Sequence, residues 1–560
     1  MLLDETHAVR TGTPDDATPG AAGGPPASGR RRVLGLAVSG LALLIVWAAL
    51  IAPNHPRRLE PGTLAQFPLE LLVVVAVAVL LPVTPRRVLA VVVGALLGVL
   101  LVLKVLDLGF FTAFDRPFDL IYDWGYAGIG VETLRDAVGD SRADVAVVLA
   151  VIGVGALLVL PVLALVRLTR VAAGRPDRVL YLTAALAVVW LGLRLLGSPV
   201  ASTQATAFAA REVRSVETSL RDHDVLARLI ARDRFKATPG DRLLTGLRGK
   251  DVLLVFVESY GRVAVQGSSF APGVDAVLDR GDAQLRAAGF SARSAFLTSP
   301  TFGGISWLAH ATMQTGVWAD RRRRYDQLVH TNRLTLSSAF KRAGWRSVGL
   351  MPQNKRAWPE GHSFYHYDAI YDRRNVGYRG PRFGLPSMPD QFALLALQRR
   401  ELARRHRPPL FAEIDLVSSH APWTRIPQFV PWDEVGDGSV FDRLPVQTPA
   451  VAADADDGDR RRAAYGRSIE YSMSALVSFV RTYGDKDLVL VVLGDHQPAT
   501  TVSGEGAGHD VPVSIIARDP KVLDRIAPWG FDGGLRPGPH APVWRMDAFR
   551  DRFLTAFGSG

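Results

Sequence analysis

Residues 88–106 read VLAVVVGALLGVLLVLKVL, 19 positions with a single charge among them. As a helix this run is about 28 Å long, close to the roughly 30 Å hydrocarbon thickness of a bilayer. It forms most of an apolar stretch over 88–110, and four similar stretches precede residue 200, at 33–51, 66–83, 144–166 and 179–197. Buried helices of a soluble domain are seldom so long and so uniformly apolar. The pattern predicts about five membrane-spanning helices over 31–200. A 48% hydrophobic content and a mean hydropathy of +0.14 agree with a membrane portion.

Arginine placement orients these spans. Arg31 and Arg32 precede the first, Arg86 and Arg87 lie between the second and third, and Arg167, Arg170, Arg175 and Arg178 flank the turn between the fourth and fifth. All fall on one side, the cytoplasmic one by the positive-inside tendency, with Arg57 and Arg58 a minor exception. An odd number of spans then places everything beyond about residue 200 outside, in a multi-pass protein of a bacterial-type inner membrane. The net charge of +11 is largely such flanking arginine, so a nucleic-acid partner is not expected. There is no cysteine, which excludes disulfides, thiolate metal sites and a cysteine nucleophile. Residues 1–30, rich in Gly, Ala, Pro, Thr and Asp, are expected to be a disordered cytoplasmic tail. Residues 201–249 are charged and helix-forming and are expected to make linker helices, either at the bilayer surface or packed in solution.

From residue 250 to 560 the pattern becomes α/β. DVLLVFVE (251–258), WRSVGLM (345–351), LFAEIDLV (410–417) and DLVLVVLG (487–494) read as buried parallel strands. Helical patterns at 304–315, 334–344 and 465–484 alternate with them. In such a layered fold ligand groups gather beyond the C-terminal ends of the strands. Three of these strands end in the same kind of chemistry: Glu258 in VFVESYG, Asp415 and then His420 in EIDLVSSHAPW, and Asp495 with His496 in LGDHQP. Carboxylates and imidazoles from separate strands are what a borderline divalent metal site is assembled from. Singly, each has a plain alternative as a helix cap, a turn former or a surface residue.

SWLAHATMQTG at 306–316 resembles the nucleophile segment of the alkaline phosphatase/sulfatase superfamily, in which the nucleophile begins a helix and a Thr-Gly pair closes the segment ten residues on. VFVESYG before it and LGDH after it stand in the order that superfamily uses. FGGISWLAH, SSHAPW and the apolar spans resemble its membrane-anchored branch, which includes lipoteichoic acid synthases and phosphoethanolamine transferases. The resemblance covers most of 250–520 and implies an extracytoplasmic sulfatase/alkaline-phosphatase-like catalytic domain.

Carried over residue by residue, it implies that Glu258, Ser306, Asp495 and His496 hold a catalytic divalent metal, manganese preferred and zinc or magnesium possible, with Ser306 as nucleophile. Thr301 in SPTFGG is the competing hydroxyl. His420 resembles the histidine that protonates a leaving oxygen or activates the acceptor. His509 in GAGHDVPV resembles a late superfamily histidine that contacts substrate or joins Asp415 at a second metal. Asp415 and His420 are five apart where two-metal members have four, which puts that second ion in doubt. His310, Lys355, Arg356 and Trp358 are candidate substrate contacts: cations beside an aromatic suit a phosphodiester headgroup, though a solvated loop is the alternative for 355–358. Arg321–Arg324 reads as a surface face or a contact to anionic lipid headgroups. Formylglycine sulfatase chemistry is disfavoured, because Leu308 and His310 stand where that branch needs proline and arginine.

The activity implied is metal-dependent transfer of a phosphoryl-linked group, phosphoglycerol first, from a membrane phospholipid donor to a cell-envelope glycan or lipid acceptor. Phosphoethanolamine transfer and phosphodiester or phosphate-ester hydrolysis are the alternatives within the same class. A non-catalytic membrane scaffold retaining the fold is the alternative outside it.

Overall fold

The structure, a computed structural model, describes residues 27–423, 425–445 and 456–559; the expected tail lies outside these up to position 26. Two compact units are present. The first gathers the helix Ala27–Ile51 with residues 67–98 and 157–202. The second contains 52–66, 99–156 and everything from Thr203 onward.

Among the described residues, four helices are long and apolar enough to cross a bilayer: Arg31–Ile51, Val83–Phe114, Asp140–Ala172 and Pro176–Leu195. The stretch expected to span at 66–83 departs from this. Its helix is only Leu69–Leu80, 12 residues, or about 18 Å. Pro68 precedes it and Pro82 follows it, and Phe67–Pro68 (β1) is extended, pairing in parallel with Ala201–Ser202 (β2). Within the first unit, Gly94 and Gly98 of GALLG lie against residues 157–162. A Cβ on Gly94 would stand 2.6 Å from Val162 Cα, and one on Gly98 2.9 Å from the Leu158 carbonyl. Small residues four apart let membrane helices approach this closely.

The second unit is built on a nine-stranded sheet. Its strands are β3 (Asp251–Val257), β4 (Ser291–Thr298), β5 (Arg346–Met351), β6 (Ala369–Asp372), β7 (Leu410–Leu416), β8 (Leu488–Gly494), β9 (Asp510–Ala517), β10 (Asp532–Gly533) and β11 (Val543–Arg545). The order is β10-β4-β9-β8-β3-β7-β5-β6, with β11 on β4. β8, β3, β7, β5 and β6 are parallel, while β9 runs antiparallel to both β8 and β4. All seven residues of β3 are buried, because helices cover both faces. Leu253, Val255 and Val257 pack on the side of helices 271–287, 390–397 and 457–483; Val252, Leu254 and Phe256 pack on the side of helices 306–315, 336–342 and 549–557. This explains the uninterrupted apolar runs: a central parallel strand has no wet face.

The expected linker forms the helix Gln204–Ala231 and belongs to the second unit. Three of the four arginines at 321–324 are occupied by neighbouring protein rather than presented to lipid. Arg324 grips Asp222 through two hydrogen bonds, Arg321 reaches Asp119 at 3.1 Å, and Arg323 donates to the Ser219 carbonyl. Further on, Asp233 is fully buried, 3.0 Å from the equally buried Arg550 and 3.5 Å from Arg333. Removing one partner of such a group leaves uncompensated buried charge. Asp233→Ala is expected to cost about 3–5 kcal/mol, measured by denaturant unfolding of the detergent-solubilised chain.

Candidate active site

The site begins where two central strands end side by side. β3 closes at Val257 and delivers Glu258, followed by Ser259 at φ 56. β8 closes at Gly494 and delivers Asp495 and His496. Asp495 Oδ1 accepts the backbone N–H groups of Ser259 and of His496, each at 2.7 Å, which ties the two strand ends together. Gly494 is required by a close approach: a Cβ there would lie 1.9 Å from the Tyr260 carbonyl oxygen. Gly494→Ala must push the two loops apart, and metal affinity is expected to fall about 10–100-fold, the range for displaced supporting groups; calorimetric titration with Mn²⁺ measures it.

The third contribution is Ser306, first residue of the helix Ser306–Thr315. Gly303 (φ 69), Gly304 (φ 158) and Ile305 (φ 65) turn the chain sharply into it. A β-branched residue in the left-handed region is strained, and such strain persists where the surroundings hold it. Ser306 Oγ donates to Glu258 Oε2 at 3.0 Å and lies 3.2 Å from His496 Nε2. His496 Nε2 is in turn 3.4 Å from Glu258 Oε1 and 3.5 Å from Asp495 Oδ2. Thr301, by contrast, is buried with its hydroxyl 3.5 Å from Ser299 Oγ and makes no hydrogen bond to any of these three groups.

The donor set fits a divalent cation. Glu258, Asp495 and His496 each offer a ligand atom within 4.8 Å of the others. His496 Nδ1 lies 2.8 Å from the Gln497 carbonyl, which can only accept, so the proton sits on Nδ1 and the Nε2 lone pair faces the cluster. Burial raises both carboxyls, but for Glu258 the neighbouring His420 and His496 outweigh it and hold the group down at about 2. Asp495, buried beside the Glu258 charge, is pushed up to about 6. Two adjacent carboxylates, one imidazole nitrogen and one hydroxyl thus converge as a donor set suited to a divalent cation.

A second cluster lies on the neighbouring strand. His310, one helical turn beyond Ser306, places Nδ1 2.9 Å from Glu413 Oε1 and 3.5 Å from Asp415 Oδ1. Its ring stacks on Phe256 at 3.8 Å. Glu413 Oε2 also accepts from Tyr367 at 2.6 Å and from the Gln314 amide. Burial lowers the His310 pKa, but Asp415 and Glu413 reverse this and bring it to about 9.

The other sequence candidates divide. His420 lies close enough to Glu258 to affect its charge, with Nδ1 2.8 Å from the Ala421 carbonyl. Asp415 joins His310 and Glu413; no hydrogen bond or ion pair links it to His420 or His509. His509 instead faces Asp115 at 3.6 Å and packs against Phe302. Arg356 pairs with Glu132 at 2.7 Å on the surface, Lys355 is exposed, and Trp358 packs on Tyr365 with its N–H toward the Tyr325 hydroxyl. The printed partners of Arg356 and Trp358 thus lie outside the Glu258–Ser306–His496 group. Sequence reasoning missed Glu413 and Asp115. Glu413 was legible in one respect: in LFAEIDL two acids alternate along one buried strand and so share a face.

Together, the mixed sheet, the strand-end acids and imidazole and the serine-headed helix define an α/β domain with a cluster able to hold a metal ion, on a chain whose helices include four long and apolar enough to cross a bilayer among the described residues. A scan of protein-family models gives no match, and neither does a search of curated proteins. Solved structures similar to this chain include the lipoteichoic acid synthase LtaP of Listeria monocytogenes, with 14% identity, 56% of this chain and 74% of that one covered, and a TM-score of 0.36. The Streptococcus pyogenes phosphoglycerol transferase GacH, solved with sn-glycerol-1-phosphate, is 12% identical over 59% of this chain and 78% of its own, with a TM-score of 0.37. The periplasmic domain of EcEptC from Escherichia coli, in its zinc complex, is 16% identical over 49% and 74%, with a TM-score of 0.32.

Proposed function

We propose that this chain is a membrane-anchored metalloenzyme that transfers a phosphoryl-linked group, phosphoglycerol, from a phospholipid to a cell-envelope acceptor through Ser306, using a divalent ion, manganese for preference. The observation that carries the reading is the contact of the Ser306 hydroxyl with both Glu258 and His496, at 3.0 and 3.2 Å. A bound divalent cation there supplies an acidified serine hydroxyl and withdraws charge from a phosphoryl oxygen. Ser306 Oγ forms the new bond to phosphorus, and the bond to the donor's alcohol breaks. His420, its Nδ1 proton engaged by the Ala421 carbonyl, presents Nε2 to carry a proton to that leaving oxygen. The first-turn N–H groups of the Ser306 helix favour the anionic phosphoryl group. Anchoring holds the site near headgroups at high effective concentration.

Intact-mass analysis of the full chain in detergent, loaded with Mn²⁺ and exposed to vesicles of phosphatidylglycerol or of phosphatidylethanolamine, tests this. A phosphoglycerol adduct is expected from the first, absent in Ser306→Ala and retained in Thr301→Ala. An adduct that persists without Ser306 and vanishes without Thr301 overturns the assignment of the nucleophile. An adduct from phosphatidylethanolamine alone overturns the donor.

A further inference from the structure

We propose that Ser259 sets the ion preference of the Glu258–Asp495–His496 cluster. By engaging one oxygen of each acid it favours Mn²⁺ over Ca²⁺. The inference rests on the metal-site reading above and names the positioning residue that decides which ion the site takes.

The backbone supplies the first observation. Ser259 is buried and sits at φ 56, in the left-handed region. Glycine makes such a turn with less strain, because it has no Cβ to crowd the neighbouring carbonyl. A strained residue persists where its surroundings over-determine it, and here they do. The Ser259 carbonyl accepts from the Tyr465 hydroxyl at 2.7 Å and from the Gly261 N–H at 2.9 Å, while the Ser259 N–H donates to Asp495. What serine has and glycine lacks is a hydroxyl, and that hydroxyl donates to Glu258 Oε1 at 2.8 Å.

Both acids are thereby held by the same residue. Asp495 Oδ1 accepts the N–H groups of Ser259 and His496, and Oδ2 is the oxygen 3.5 Å from His496 Nε2. Glu258 Oε1 accepts the Ser259 hydroxyl, and Oε2 is the oxygen that meets Ser306 Oγ. The backbone beneath Glu258 is fixed too: its N–H donates to the Leu416 carbonyl at 2.9 Å, and its carbonyl accepts from Ser419 Oγ at 2.5 Å. Rotation of the carboxylate is the freedom that remains, and the Ser259 hydroxyl restrains it.

Oε1 is nevertheless within reach of the cluster, 3.4 Å from His496 Nε2. Removing the serine proton would release it as an additional ligand. That change suits Ca²⁺, which gathers about six to eight oxygens and readily takes both from one carboxylate. It does not suit Mn²⁺, which is satisfied by an octahedron of about six ligands and gains more from acids held in place.

Calorimetric titration of the full chain in detergent with Mn²⁺ and, separately, with Ca²⁺ tests this in wild type, Ser259→Ala and Ser259→Gly. Both variants lose the hydroxyl and keep the backbone N–H. The Mn²⁺ Kd is expected to rise about 10–100-fold in both, while the Ca²⁺ Kd stays level or falls. Thermal unfolding without added metal separates the hydroxyl from the backbone. Glycine fits φ 56, so Ser259→Gly should unfold at or above the Tm of Ser259→Ala, yet share its loss of Mn²⁺ affinity. Wild-type Mn²⁺ affinity in either variant overturns the proposal. So does a loss of Ca²⁺ affinity as large as that of Mn²⁺, which is what a merely loosened loop would give. Failure of the underlying reading looks different: a wild-type chain that takes up neither ion.

Discussion

Alanine at position 306 is expected to reduce turnover of any phosphodiester donor by about 10³-fold or more, with the fold intact. Ser306 is the hydroxyl that touches both Glu258 and His496, whereas the Thr301 hydroxyl is turned toward Ser299. Nothing packs the fold through the serine side chain, which is part-buried at the head of its helix. The loss should therefore appear in kcat/KM and in adduct formation, while unfolding of the variant stays cooperative. Because the serine oxygen is also one of the prospective ligands, the comparison is made at saturating Mn²⁺. Thr301→Ala provides the contrast, since its expected effect is a small loss of stability and near-normal turnover.

Metal binding is the second large effect. Asp495 is buried, and Glu258 beside it keeps only 11% of its side chain exposed. A ligand that binds only the folded state stabilises it by about 2.7 kcal/mol at a hundred times its Kd. Mn²⁺, Zn²⁺ and Mg²⁺ titrations followed by thermal unfolding should each raise Tm in order of affinity, and chelation should reverse the shift. Glu258→Gln keeps the shape of the side chain and removes its charge, so it should abolish most of the shift together with activity. A Tm that ignores all three ions, in a chain that still turns over, would contradict the assignment of this cluster.

The parts legible in the sequence were those with short-range signatures. β3, β7 and β8 announce themselves as apolar runs because both sheet faces are covered; in β3 and β8 the first acid after the run follows the strand end, whereas in β7 Glu413 and Asp415 lie within the strand. Glu258, Asp495 and His496 were readable for that reason. Ser306 was singled out only by the resemblance of SWLAHATMQTG to a superfamily segment; the helix it begins does stop at Gly316, at φ 62. What escaped depends on partners distant in sequence. Arg324 looks like one of a solvated run until Asp222, 102 residues earlier, is seen to hold it. His310 looks like a substrate contact until Glu413, 103 residues later, is seen to bind it. β4 and β9 lack the long uniform runs of the central strands, and their antiparallel pairing, which extends the sheet beyond β8, has no local signal. The short helix Leu69–Leu80 was read as a full span because hydropathy does not register the extended residues before it.

The last turn of helix Val83–Phe114 belongs to the same compact unit as Ser306. There the Thr112 carbonyl accepts from Thr500, and Gly303 comes so near the Ala113 carbonyl that a Cβ there would stand 1.9 Å away. The loop leading into Ser306 and the end of that helix are thus fitted to each other: any side chain at position 303 would have to displace Ala113, so the two segments can change only together.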